Sequence, residues 1–312
     1  MYVRIRFLFS VIPVSLVFKG VAVSVLASVL FGAIYYLSPL LVPLDGEQIF
    51  GWRVLMTLPF TTLLLLTRRE LPAVGALLAR ARRMPAFGAC LLLSAALLGV
   101  QLWLFMWAPL HGRALPVSLG YFLLPLVMVL VGRWLFGERL TRGQALAATL
   151  AGIGVAWELW RAGGMSWETW LVALGYTAYF SLRRRMHTDT LAGHWVDMVL
   201  LVPVAITFTL RAPSSWGLVA EHASLWALLP LLGILSAVAL AFYMIASRWL
   251  PMGLFGLLSY VEPVLLVAVA WLLGESLPRE QWPAHALIFA AVAMLVLDGA
   301  LHLWGARSKR TH

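Results

Sequence analysis

The chain has 312 residues, 62% hydrophobic and only 12% charged, with a mean hydropathy of +0.91. A water-facing domain carries about 25% charged residues, so composition excludes a soluble globular fold. The formal net charge of +10 does not indicate nucleic acid, because the basic residues punctuate apolar runs and no nucleic-acid motif accompanies them.

The N-terminal segment, residues 1–19, places Arg4 and Arg6 ahead of an apolar run from Phe7 to Phe18, interrupted by Pro13 and closed by Lys19. A dozen residues do not cross a bilayer, which takes about 20, and no small-residue cleavage site follows. Two readings stand: a cytoplasmic interfacial segment or a disordered extension. Apolar runs between polar breaks then predict ten transmembrane helices at 20–43, 48–67, 86–110, 115–137, 142–161, 167–184, 193–211, 225–247, 251–274 and 281–304. Asp45-Gly46-Glu47, a basic loop from Arg68 to Arg83, His111-Gly112-Arg113, Gly163-Gly164, Arg183 to Asp189 and Ala212 to Ser215 separate them. These segments are apolar all round and do not alternate, which excludes a transmembrane barrel.

With the N-terminus in the cytoplasm, 18 of the 23 basic residues fall inside and five outside, namely Arg53, Arg113, Arg161, Arg211 and Arg279. That asymmetry is the positive-inside pattern. An even number of spans returns the C-terminus to the cytoplasm, so the expected location is the inner membrane with both termini cytoplasmic.

The chain also repeats itself. Leu135-Phe136-Gly137-Glu138-Arg139-Leu140 and Leu272-Leu273-Gly274-Glu275-Ser276-Leu277 lie 137 residues apart, and Pro125 has its counterpart in Pro263. Met106 and Ala108 pair with Met244 and Ala246 at nearly the same offset. A duplicated membrane unit is the economical explanation, and such repeats are characteristic of transporters. The first repeat occupies 20–162, the second 163–305, and 306–312 is a basic tail. Five spans per repeat is odd, so the second must be inverted. The fold class expected is an all-α integral membrane protein of ten helices, arranged as two inverted five-helix repeats around a central cavity.

The run Gln101-Leu102-Trp103-Leu104-Phe105-Met106-Trp107-Ala108, with His111-Gly112-Arg113, Ser118 to Leu126, Leu135 to Leu140 and, in the second repeat, Tyr260-Val261-Glu262-Pro263-Val264 and Leu273-Gly274-Glu275, resembles the RarD-like EamA transporters of the drug/metabolite transporter superfamily. Gln101 departs from the pattern, which usually has Asn there. The resemblance implies a ten-helix exporter of small metabolites, an architecture shared by YddG-type amino-acid exporters.

Residue by residue, Pro125 and Pro263 fall mid-span, where a proline removes a backbone hydrogen bond and kinks the helix. They are either paired gating features or packing kinks. Glu262 is the one acid deep within a span. Such a group is functional by default, and three roles stand open: a proton-coupling site, a partner for an ammonium group, or a tie between helices. Asp197 and Asp298 sit nearer helix ends, where interfacial water is expected. Glu138 and Glu275 lie at opposite faces and are expected to close turns or cap the next helix. Candidate substrate-binding residues are Phe31, Gln101, Tyr121, Phe122, Tyr176, Tyr179, Tyr243, Ser259, Tyr260 and Glu262. Rings with hydroxyl handles suit a mainly apolar solute with a polar end. For each ring the alternative is ordinary packing. Trp103, Trp107, Trp157 and Trp160 fit an interfacial aromatic belt, and Gly152 and Gly154 fit close-packing points.

Cys90, the one cysteine, excludes an intrachain disulfide and a cysteine metal site. No His pair at metal spacing, glycine-rich phosphate loop or catalytic constellation is present, and His187 and His194 read as loop residues. No metal or cofactor is expected, and the partners are a small-molecule substrate and the bilayer. Export of amphipathic metabolites, amino acids foremost, is the first functional reading. A drug or other metabolite permease is the second, and a membrane enzyme or scaffold the third.

Overall fold

Apolar runs of 20 or more residues have one economical conformation in lipid, the helix, because it satisfies its own backbone. The computed structural model, which describes residues 14–111, 113–161, 163–211, 215–272, 280 and 282–294, contains helices and no strand among them. In chain order they are α1 (Val14–Leu37), extended by a 3-10 turn (Ser38–Leu41), α2 (Gly46–Arg68), α3 (Leu71–Arg83), α4 (Pro85–Leu110), α5 (Ala114–Phe136), α6 (Arg142–Arg161), α7 (Trp167–Met186), α8 (Leu191–Leu210), α9 (Ser215–Glu221), α10 (Ala223–Trp249), α11 (Met252–Leu258) and α12 (Val261–Leu272). A further helix, α13, covers Trp282–Met294. Six are long and apolar enough to cross a membrane: α1 with its turn, α2, α4, α5, α8 and α10. The expected spans at 142–161, 167–184 and 281–304 are helical wherever described but are shorter or more polar, and 251–274 is helical only in two pieces.

Polar side chains at the breaks fix the helix ends. Asp45 and Gln48 form a reciprocal capping box at the start of α2. Thr141 and Gln144 do the same for α6, each side chain bonding the other's backbone amide at 3.1 Å. Gly137 closes α5 with φ +67°, a left-handed conformation that costs a glycine nothing.

The packing interleaves the two halves of the chain. α1 lies on α10 and α12, α2 on α8 and α10, α5 on α7 and α11, and α4 on α7 and α8. One large apolar cluster, including Phe50, Leu98, Met128, Phe180, Met198, Leu229 and Phe255, joins most of these helices. A second, built on Leu119, Phe122, Val155, Leu257, Tyr260 and Ile288, joins α5, α6, α11 and α13.

Several expectations need correction. The basic stretch 68–83 is not a loop: Val74 packs with Leu65, Phe87 and Leu91, which gives α3 an apolar side, while Arg82 and Arg83 are exposed. The expected span 251–274 is two helices, because the chain turns at Ser259-Tyr260. Pro263 is the third residue of α12, in the first turn, where a missing N–H breaks no helical bond. Pro125, by contrast, lies inside the continuous α5. Glu138 does not cap the next helix. Thr141 does that, and the Glu138 carboxylate instead accepts the backbone amides of Met252 and Gly253 at 2.7 and 2.8 Å, at the start of α11. His194 is not a loop residue but is fully buried in α8, and Asp197 meets no interfacial water, being fully buried beside Arg183. Residues 1–13, Gly274, Glu275, Asp298 and the 306–312 tail lie outside the described residues.

Candidate functional site: a cavity between the two halves

Seven helices contribute to one cavity. Its walls are Phe31 of α1, Arg53 of α2, Leu98, Leu102 and Phe105 of α4, Tyr121 and Leu124 of α5, Tyr176, Tyr179 and Phe180 of α7, Leu240, Tyr243 and Met244 of α10, and Glu262 of α12. The empty space among these side chains, counted together with its open side, is about 510 Å³.

The rings form a connected wall. Phe105 meets Tyr121 edge-on at 6.0 Å, Tyr121 lies 6.0 Å from Tyr176, and Tyr176 stacks on Phe180 at 6.3 Å. Phe180 meets Tyr243 at 5.4 Å, and Tyr243 meets Phe31 at 5.4 Å, both edge-on. Edge-to-face pairs of this kind fix ring orientation as well as adding stability. Helical spacing explains the arrangement: Tyr176, Tyr179 and Phe180 are three and four apart on α7 and share a face.

Two hydroxyls are committed to the protein. The Tyr179 hydroxyl donates to Asp197 Oδ2 at 3.1 Å, and the Tyr243 and Ser259 hydroxyls share a hydrogen bond of 3.0 Å. Behind Tyr179, Arg183 pairs with Asp197 at 2.5 Å, Ser94 donates to the same oxygen at 3.3 Å, and Arg183 also donates to the carbonyls of Thr188 and Thr190. Both charged residues are 0% exposed. Breaking a buried pair of this kind costs about 3–5 kcal/mol, so this cluster fixes α4, α7 and α8 at the rear of the cavity wall.

Arg53 and Glu262 are the charged groups of the lining. Arg53 is 2% exposed, and its Nε donates to Ser236 of α10 at 3.1 Å. Its guanidinium also lies over the Phe105 ring at 5.9 Å. Glu262 is 8% exposed and occupies the first turn of α12, where the helix N-terminus favours a carboxylate.

Of the residues singled out by sequence, the structure gathers Phe31, Tyr121, Tyr176, Tyr179, Tyr243 and Glu262 around this cavity, with Ser259 behind Tyr243. Three others are placed elsewhere. Gln101 turns toward α7, its amide donating to the Leu171 carbonyl at 2.7 Å. The Phe122 ring packs edge-on against His285 at 5.3 Å. Tyr260 is fully buried, with its hydroxyl donating to the Phe122 carbonyl at 2.9 Å. Arg53 is the residue that sequence reasoning missed. The positive-inside pattern groups it with the outer charges, although it stands seven residues after Gly46, well inside its helix. A charge at that depth was the available signal.

Away from the cavity, Arg113 pairs with the buried Glu168 at the start of α7, and this hydrogen bond raises the Arg113 guanidinium above its ordinary range. A second cavity, with about 910 Å³ of empty space, opens between α2, α8 and α10, beside Arg68, Asp189, Phe242 and Arg248. Met244 lines both cavities.

Comparison with known proteins assigns the class. The chain is similar to an uncharacterized transporter of Pasteurella multocida, 41% identical over 285 residues, which cover 91% of this chain and 98% of the relative. It is similar to the chloramphenicol-sensitive protein RarD of Pseudomonas aeruginosa, 46% identical over 283 residues, 90% of this chain and 95% of the relative. It is also similar to protein RarD of Salmonella typhi, 29% identical over 283 residues, 90% of this chain and 95% of the relative. No family model matches. One solved crystal structure shares the fold, with a TM-score of 0.66 at 20% identity, over 92% of this chain and 98% of that one. Apolar helices and these relatives define a multi-pass membrane transporter. The chain belongs to the family of RarD-like transporters.

Proposed function

We propose that this transporter exports small amphipathic metabolites, amino acids with apolar or aromatic side chains foremost, across the inner membrane by alternating access. The observation that carries the reading is the ring-lined cavity, built from helices of both halves and holding an acid and a base among the rings. In this reading the protein spans the membrane ten times as two EamA-type repeats, 20–162 and 163–305, the second inverted, with both termini cytoplasmic. The packing supports it. A two-fold exchange of the repeats maps the α1–α10 contact onto α7–α4, and α2–α10 onto α8–α4, while α2–α8 and α5–α11 map onto themselves. All four kinds of contact are present. Inverted repeats of this kind place the substrate at their interface near the midplane.

The name of the Pseudomonas aeruginosa relative, a chloramphenicol-sensitive protein, favours a second reading, a permease for drug-like solutes. Flux from proteoliposomes of the purified protein tests both. Counterflow of labelled apolar amino acids supports the first reading. Flux of chloramphenicol with none of any amino acid would overturn it in favour of the second.

A further inference from the structure

The cavity keeps two opposite charges apart. Among the described residues, the Arg53 side chain makes a single hydrogen bond, through Nε to Ser236, and the Glu262 side chain makes none. No ion pair joins the two, although both line the same cavity and lie within electrostatic range of one another. Charges more than nine-tenths buried are normally paired or bound to a metal, because unpaired burial is costly. Beyond the Ser236 hydrogen bond and the Phe105 ring, which both serve Arg53, neither charge has a partner among the described residues. The terminal amino groups of Arg53 are donors only, and a Glu262 carboxylate is an acceptor only. Phe31, Tyr121, Tyr176 and Tyr243 line the cavity with them.

We propose that Arg53 and Glu262 are the specificity-determining residues of the cavity, binding the carboxylate and the ammonium group of one zwitterionic α-amino acid whose apolar side chain rests on the tyrosine rings. This rests on the transport reading above and goes beyond it, since that reading requires only an amphipathic solute. A guanidinium fork matches a carboxylate with two parallel hydrogen bonds. Ser236, by holding Nε, aims that fork and is a positioning residue. Glu262 accepts from an ammonium group, aided by its place at the start of α12. A zwitterion satisfies both orphaned charges at once, whereas an amine or an acid alone leaves one of them buried without a partner. Such a site rejects the incomplete ligand strongly, as sites built to bond a polar group do.

The test uses full-length protein in proteoliposomes, with labelled L-phenylalanine as the transported probe. Phenethylamine, which lacks the carboxylate, and 3-phenylpropionate, which lacks the ammonium group, serve as competitors. Wild-type protein should transport L-phenylalanine and be inhibited by either analogue at least about tenfold more weakly than by unlabelled L-phenylalanine. Arg53→Gln should lose the preference for L-phenylalanine over phenethylamine while keeping that over phenylpropionate, and Glu262→Gln the reverse. Arg53→Lys, which keeps a charge without the fork, should fall between. The wild-type competition alone decides if a variant does not fold. Equal inhibition by all three compounds would overturn the zwitterion site and leave amino-acid export standing. No flux of L-phenylalanine or of any other amino acid would overturn both.

Discussion

Glu138 and Gly253, 115 residues apart in sequence, are joined by a 2.8 Å hydrogen bond from the Gly253 amide to the Glu138 carboxylate. The same carboxylate accepts from the Met252 amide at 2.7 Å and from Arg184 at 2.8 Å. One side chain after the end of α5 therefore holds the start of α11 and the end of α7. The anion sits at a helix N-terminus, where exposed amides and the helix dipole favour it. Glu138→Ala should lower the unfolding midpoint in detergent, at about 1.5–3 kcal/mol for hydrogen bonds to a charged group. Glu138→Gln should lose less, since an amide oxygen still accepts from the backbone. A midpoint unchanged in Glu138→Ala would show that the contact contributes nothing.

Arg183 and Asp197 form a pair with no exposed surface. Arg183→Met and Asp197→Leu should each cost about 3–5 kcal/mol by stranding the partner, and the double variant should recover part of the loss. Arg183→Met should be the worse of the two, because Arg183 also holds the carbonyls of Thr188 and Thr190. A double-mutant cycle read by thermal unfolding measures the coupling, and simple additivity would rule the pair out as a coupled unit.

Gly233 of α10 faces the backbone of α2 so closely that a Cβ there would stand 2.5 Å from the Met56 carbonyl oxygen. Backbone cannot yield as a side-chain tip can. Gly233→Ala should therefore reduce the yield of folded protein sharply. Gly75, in α3, has nothing within 4 Å of its Cβ position, so Gly75→Ala should be neutral or stabilise by about 0.5–1 kcal/mol through helix propensity. Comparing the two by size-exclusion yield and melting separates packing from propensity.

The prolines differ in what they remove. Pro125 deprives the Tyr121 carbonyl of its usual helical donor beside the cavity, whereas Pro263 sits where α12 is only starting. Pro125→Ala and Pro263→Ala are both expected to slow transport more than they reduce folded yield, Pro125→Ala more strongly. Parent-like flux at equal expression in both would reduce the prolines to packing features.

For topology, Met165 and Arg82 are exposed positions on opposite sides in the ten-span reading. With Cys90 replaced by Ala, a cysteine at 165 should react with an impermeant reagent in intact cells, and one at 82 should not. Labelling at 82 would reverse the orientation or remove a span.

Helices were legible because a long apolar run in lipid has few other conformations. The ring-bearing faces were legible because Tyr176 and Tyr179 at helical spacing must share a side. What stayed hidden depends on which neighbour each face meets. Gln101 was expected at the cavity, but Gly175 on α7 leaves a gap that its amide fills. Arg53 and Arg183 looked like topological charges because sequence gives their position along the helix axis and not what surrounds it. Asp197 was assigned to water for the same reason. The helix α3 was masked by its arginines, since only Val74, Leu77 and Ala81 of it join the apolar cluster.

Met244 lines both cavities, and its sulfur lies 3.9 Å from the Tyr179 hydroxyl oxygen. Met244 thus borders on both spaces, and its side chain is unbranched and flexible. Rotamer changes of side chains take picoseconds to nanoseconds when unhindered, whereas collective helix motions take microseconds to milliseconds. If rotation of Met244 opens a path between the two spaces, solute arriving from the Arg68–Arg248 side would reach the inner space before the bundle rearranges. Turnover from that side would then be set by the rearrangement of the bundle and not by loading. Met244→Ala should leave that turnover number unchanged, whereas Met244→Trp should make loading itself slow.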